Sequence, residues 1–127
     1  MLRQMKVIID TNALMIPAKF KVDIFSELGR LGYEELLVPT AVVEELKKIS
    51  TEARREDKVA ANVASSLLSR CKVVEVDGFA DDVILRLAKE EGAAVFTSDI
   101  ELKRRAINEG LTVVYLRQKK HLVSSKE

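Results

Sequence analysis

Acidic side chains recur in this chain where short apolar runs end and where amphipathic stretches begin. Asp10 closes the run Met5-Lys6-Val7-Ile8-Ile9 and is followed by Thr11 and Asn12. Asp99 stands in the same relation to Ala93-Ala94-Val95-Phe96-Thr97, with Ser98 between. Ligands of α/β sheets bind outside the carboxyl ends of the strands, so these two aspartates meet if their strands are neighbours. Two further acids come from helical stretches. Across residues 40–49, Ala41, Val42, Val43, Leu46 and Ile49 define an apolar stripe. Glu45 lies roughly 70° from its centre and Glu44 roughly 170° away. Across residues 81–91, Asp81 and Asp82 stand at the same two angles, roughly 70° and 170°, from the stripe of Val83, Ile84, Leu85, Leu87 and Ala88. Glu45 and Asp81 are therefore the acids turned toward the core.

Carboxylates that converge repel each other, by roughly 4 kcal/mol at ~4 Å in an effective dielectric near 20. No His or Lys sits inside the strand ends to offset this. A hard divalent cation does, since Mg²⁺ and Mn²⁺ prefer oxygen ligands, and the lack of a Cys/His cluster argues against zinc. One such ion activates water and a second stabilises a leaving oxygen, which is the chemistry of phosphodiester hydrolysis. Thr11, Asn12, Thr97 and Ser98 are short polar groups suited to hold the carboxylates or a metal-bound water. Each acid has a structural counterpart. Asp10, Asp81 and Asp99 also suit helix N-caps, and Glu45 also suits a Lys or Arg partner. The recurrence of all four together favours the site.

The elements that must position these acids read as alternating strands and helices. Strands are expected at residues 5–9, 35–38, 72–76, 93–97 and 112–116. Pro17 makes any helix over 13–20 short or kinked. Residues 22–31 form a helix closed by Gly32, and Thr40 caps a helix running to about residue 49. Ser50 and Thr51 mark a break before a long helix over 52–69. Asp77-Gly78 is a turn pair, and helices over 81–91 and 99–109 end at Gly92 and Gly110. The stretch from Arg117 onward has no clear period. This alternation predicts an α/β class, with a parallel sheet covered by helices on both faces. The strand order is not readable from the chain.

The 127 residues make one domain, 1–127, whose core must be aliphatic because Trp is absent and aromatics are few. A single cysteine, Cys71, precludes an internal disulfide and fits a reducing cytoplasm. Cys71 reads as a small core residue. No apolar run approaches the ~20 residues of a membrane span, and Met1-Leu2-Arg3-Gln4-Met5 lacks a signal peptide's apolar stretch. The expectation is a soluble cytoplasmic domain. Net charge is +1, divided as +3 in a basic C-terminal tail, 117–127, and −2 in the remainder. That division is compatible with nucleic acid.

The stretches VIIDTNAL, VPTAVVEEL, DDVILRLAKEEG and VFTSDIELKRRA resemble, in order, the four acidic motifs of PIN-domain ribonucleases. The resemblance implies a PIN-like three-layer α/β/α sandwich with a central five-stranded parallel sheet. It also implies Mg²⁺- or Mn²⁺-dependent endonucleolytic cleavage of RNA, with Asp10, Glu45, Asp81 and Asp99 as metal ligands. Ser98 replaces the Asn usual before the last Asp. Glu101 stands where many relatives carry another acid. Its other reading is a first-turn charge favoured by the helix dipole. The ending Tyr115-Leu116-Arg117-Gln118-Lys119-Lys120-His121 resembles PIN proteins of small-subunit rRNA processing, and VapC-type toxins are the other close relatives. The implied partners are RNA, an antitoxin or pre-ribosomal component, and a second copy through residues 22–31 or 59–68. Arg117, Lys119 and Lys120, extended by Lys103, Arg104 and Arg105, are expected to hold RNA phosphates, while His121 reads as an exposed tail residue. A catalytically weak RNA-binding module of the same fold is the alternative. A phosphorylated receiver-type domain is disfavoured, because it requires paired acids after the first strand and a Lys after the last.

Overall fold

A computed structural model describes residues 5–126. The signal-peptide expectation at Met1 to Gln4, and the tail's Glu127, lie outside the described residues. The elements run β1 (Met5–Ile9), α1 (Thr11–Leu14), α2 (Ile16–Phe20), α3 (Ile24–Arg30), β2 (Tyr33–Pro39), α4 (Thr40–Glu52) and α5 (Arg55–Leu67). A 3-10 turn (Leu68–Arg70) leads into β3 (Lys72–Val74), α6 (Ala80–Glu91), β4 (Ala94–Phe96), α7 (Ile100–Asn108), β5 (Val113–Arg117) and β6 (His121–Ser124). One sheet has the order β3-β2-β1-β4-β5-β6.

β1 through β5 pair in parallel and β6 pairs antiparallel to β5. Val7, Ile8 and Ile9 of β1 are wholly buried, as a strand covered on both faces requires. The chain moves outward from β1 to β2 and β3, then crosses back to lay β4 on the other side of β1. That reversal makes the β1/β4 junction the topological switch point, where the crevice of an open α/β sheet forms. The condition for Asp10 and Asp99 to meet is satisfied.

Three local expectations are corrected. The tail is not aperiodic: a turn over residues 118–120 folds it into β6, whose Leu122 is wholly buried and whose backbone pairs with Val114–Arg117. The sheet thus has the five parallel strands expected and one more. Thr40 does not cap α4. Pro39 holds the N-cap position, and the Thr40 hydroxyl instead accepts from the Val76 N–H (3.2 Å) and donates to the Val76 carbonyl (3.1 Å). β3 itself stops at Val74, opposite Pro39, where its partner strand β2 ends. The helix break falls at Ala53-Arg54, not at Ser50-Thr51. The hydroxyls of Ser50 and Thr51 bond back to the carbonyls of Lys47 and Lys48 within the last turns of α4, a way for such residues to remain helical.

α3 is capped by Asp23, which accepts from the Phe25 and Ser26 N–H groups, and it buries Ile24 and Leu28 against the sheet. Its apolar side is therefore consumed within this chain. α5 leaves Val59 and Val63 exposed.

Candidate active site

Asp10 leaves β1 and at once caps α1, its Oδ1 accepting from the Ala13 N–H at 2.8 Å. Its Oδ2 accepts from the Thr97 hydroxyl. Asp10 is 6% exposed. Burial pushes its carboxyl up to about 7; the bonds from Thr97 and Ala13 oppose that rise, and the charges of Asp81 and Asp99 add to it. Thr97 itself is buried and accepts a bond from the Asp99 N–H at 3.0 Å. One hydroxyl therefore joins the acid after β1 to the turn after β4.

Asp99 caps α7 through Oδ1, which accepts from Glu101 N–H (2.8 Å) and Leu102 N–H (3.2 Å). Asp81, in the first turn of α6, is half-buried. Its carboxyl is raised by burial first and by Asp99 next, with Glu45 and Asp82 adding to this and Arg105 opposing it. Glu45 is exposed rather than at the core border, yet it is not adrift: it accepts a bond from the buried Thr11 hydroxyl. Asp10 and Asp99 are thus both helix caps, and the charges of Asp81 and Asp99 act on Asp10. The cap takes one oxygen of each, and in Asp10 the Thr97 hydroxyl engages the other.

Among the described residues, none of Asp10, Glu45, Asp81 and Asp99 forms an ion pair with Lys, Arg or His. The neighbouring acids are paired: Asp82 with Arg105 at 2.8 Å and Glu101 with Arg104 at 2.8 Å. Asn12 and Ser98 are exposed beside their aspartates. Arg117, Lys119 and Lys120 are exposed around the β5–β6 turn. The Lys119 amine lies 5.9 Å from the centroid of the Phe20 ring, and that of Lys103 lies 3.5 Å from the Tyr115 ring.

The pairing of Asp82 with Arg105 escaped the sequence. Helical phase placed Asp82 outward, but nothing in α6 says that α7 brings a guanidinium there. The sequence groups Arg105 with the phosphate-binding residues, whereas the structure engages it with an acid adjoining the site.

The group implied at this site is a divalent metal. Among the described residues, no group of three or more His, Cys, Asp or Glu side chains is placed to hold a metal ion. Mg²⁺ does not require such a group, because it keeps several waters and takes one or two carboxylates directly. The donors are all oxygens, a buried carboxylate shares the crevice with like charges, and among the described residues Arg105 acts on Asp81 only at a distance, through charge, while it is ion-paired to Asp82. By donor type, oxygen alone, these residues suit a hard divalent ion. A separate cleft of about 730 Å³ lies at the amino ends of the strands, between Met5, Tyr33, Gly92 and Gly110, and includes none of the four acids.

A three-layer α/β fold whose switch point gathers carboxylates from two central strands and two flanking helices defines a class of acidic-site domain. The chain belongs to the family described as PIN like domain, which its residues 7–119 match. It is 35% identical to ribonuclease VapC9 of Archaeoglobus fulgidus over 115 residues, covering 91% of this chain and 85% of the relative. It is 33% identical to ribonuclease VapC4 of Methanocaldococcus jannaschii over 122 residues, covering 91% and 93%. The solved PIN domain endonuclease Utp24 shares the fold, with a TM-score of 0.75 over 96% of this chain and 92% of its own, at 22% identity.

Proposed function

We propose that this protein is a divalent-metal-dependent endoribonuclease with Asp10, Glu45, Asp81 and Asp99 as its metal-binding acids. The observation that carries this reading is the set of carboxylates that influence one another at the β1/β4 switch point, none of the four in an ion pair among the described residues. Two relatives named ribonucleases, each about a third identical, support the choice of RNA.

Bound there, Mg²⁺ or Mn²⁺ supplies the positive charge that neutralises the acids and polarises a phosphodiester and its attacking water. The chain's own residues supply order. Thr97 and the Ala13 N–H fix both oxygens of Asp10, so its carboxylate cannot rotate. Thr11 steadies Glu45, which is otherwise on an exposed helix face. The α7 N-terminus holds one oxygen of Asp99, and the exposed bases Arg117, Lys119 and Lys120 offer phosphate contacts by plain charge. Supporting roles for Asn12, Ser98 and Glu101, with Lys103 and Arg104 for the RNA backbone, complete this reading.

The test is a titration of Mn²⁺ against a single-stranded RNA, with EDTA as control and Asp10→Asn beside the parent. Products that require metal and vanish in the variant are expected. Cleavage by Asp10→Asn at the parent's rate would remove the assignment. Binding without products would favour an RNA-binding module instead. The names of the two relatives favour a VapC-type role with an antitoxin partner over rRNA processing, and a small reading frame beside the gene is the corresponding observation. A homodimer through the exposed Val59 and Val63 of α5 belongs to this reading, and light scattering showing monomer at micromolar concentration would exclude it.

A further inference from the structure

α6 carries Asp81 and α7 is capped by Asp99, so the separation of these two acids depends on how the helices stand to each other. The crossovers from β3 to β4 and from β4 to β5 run the same way across the sheet, and right-handed connections then lay both helices on one face. Their seating differs. α6 buries Val83, Ile84, Leu85, Leu87 and Ala88, whereas α7 buries Leu102 and Ala106 and leaves Ile100 and Ile107 exposed. Packing fixes α6; α7 depends more on ties made by its polar side chains.

Those ties are visible along the helix. The Lys103 amine lies 3.5 Å from the centroid of the Tyr115 ring on β5, and Glu109, at the far end of α7, ion-pairs with Lys89 of α6. Between them, Arg105 Nη2 donates to Asp82 Oδ1 at 2.8 Å. This last tie adjoins the acids. Asp82 follows Asp81 in the first turn of α6, and Arg105 stands ~9 Å of helix beyond the Asp99 cap. Both partners are exposed, and exposed pairs add little to stability. What this pair supplies is geometry: it links the turn that bears Asp81 to the helix that Asp99 caps.

We propose that Arg105 is a positioning residue: its bond to Asp82 holds α7 against α6 and so fixes the separation of Asp81 and Asp99 on which metal binding depends. This rests on the metal-dependent reading of the site. In this role Arg105 is engaged with a carboxylate and is not a contact for RNA phosphate. The sign of one effect separates the two roles. Arg105 is a cation whose charge acts on Asp81, so by Coulomb's law alone its removal should tighten the binding of a divalent cation. Loss of position does the reverse. Weaker metal binding after the charge is removed therefore reports geometry.

The test uses the full chain, with Mn²⁺ affinity by calorimetry, cleavage of a single-stranded RNA, urea midpoints and amide hydrogen exchange. Arg105→Gln should weaken Mn²⁺ binding about tenfold and lower kcat with KM nearly unchanged, at an unaltered urea midpoint. Arg105→Lys should restore part of the affinity. In an Asp82→Asn background, where no pair remains to break, Arg105→Gln should cost nothing further. Unchanged or tighter Mn²⁺ binding in Arg105→Gln overturns the proposal. So does a raised KM with a shallower salt dependence, the mark of a lost phosphate contact. A large fall in the urea midpoint would make the pair a plain structural tie and overturn it as well. If the parent binds no Mn²⁺, the metal reading fails separately. Exchange in the metal-free protein then decides the tie by itself. The Lys103 N–H, bonded to the Asp99 carbonyl at 2.9 Å, should exchange several times faster in Arg105→Gln, and an unchanged rate there overturns the proposal.

Discussion

Thr97 shows how much one hydroxyl settles in this crevice. It donates to Asp10 and accepts from the Asp99 N–H, so it sets the distance between the acids that follow the two central strands. Thr97→Val keeps the shape and removes both bonds. Partners that orient metal ligands are worth about 10–100-fold in metal affinity, so Mn²⁺ binding by calorimetry should weaken by about that factor while the fold persists. An unaltered Mn²⁺ affinity would reduce Thr97 to packing. The part played by Thr97 was legible, because a short polar residue in a strand otherwise of Ala, Val and Phe has little reason to be there except a partner. Glu45 was legible only in part: helical phase picked it over Glu44, but phase alone placed it nearer the core than it is. Phase describes one helix, and the Thr11 hydroxyl that holds Glu45 comes from another. The ion pair of Asp82 with Arg105 was illegible for the same reason. It joins α6 to α7, and no periodicity within either reports what the other brings.

At the scale of elements, the carboxyl-terminal hairpin is where local signals misled. Hairpin turns of this kind favour Asn-Gly, whereas here Gln118 and Lys119 occupy left-handed conformations at φ 55 and 57. Without the usual turn residues, and with basic residues crowding the tip, the stretch reads as a loose tail. What folds it lies elsewhere in the chain: Glu27 accepts from the Leu122 N–H at 2.9 Å, and Arg30 donates to the Leu122 carbonyl at 2.6 Å. The bonds from Arg30 and Leu122 hold the Glu27 carboxyl below its usual range. Lys119→Gly should therefore relieve strain and raise stability by about 1 kcal/mol, read as a higher urea midpoint. The same variant should weaken RNA binding modestly if the Lys119 charge meets a phosphate, with a shallower salt dependence. A stabilised protein with an unchanged salt slope would remove Lys119 from the RNA path. The parallel strands and their helices were legible because period, Gly stops and β-branched runs are local. Their order was not, since pairing between distant segments leaves no trace in either.

The whole molecule feels the site through proton linkage. The Asp10 carboxyl is held up at about 7 in the folded chain, mainly by burial, against 3.8 as a reference for the unfolded one. Between those values the folded state keeps a proton that the unfolded state has released. Metal-free stability is thus greatest at low pH with respect to this group, and falls as pH rises through 7. At no more than about 1.4 kcal/mol per pH unit, and less as the group half-ionises near 7, the loss between pH 5 and 7 is about 2 kcal/mol. Asp10→Asn has no proton to lose and should show a flatter profile in EDTA. It should be more stable than the parent at pH 8, although it is the variant expected to abolish cleavage. Mn²⁺ should reverse the order in the parent: binding requires the ionised carboxylate, so its stabilisation grows over the same pH window in which the metal-free protein weakens. Urea midpoints for both proteins from pH 5 to 8, with and without Mn²⁺, give the comparison. Parallel profiles in EDTA would show that Asp10 ionises as freely in the fold as outside it. The crevice would then hold no electrostatic strain for a cation to relieve.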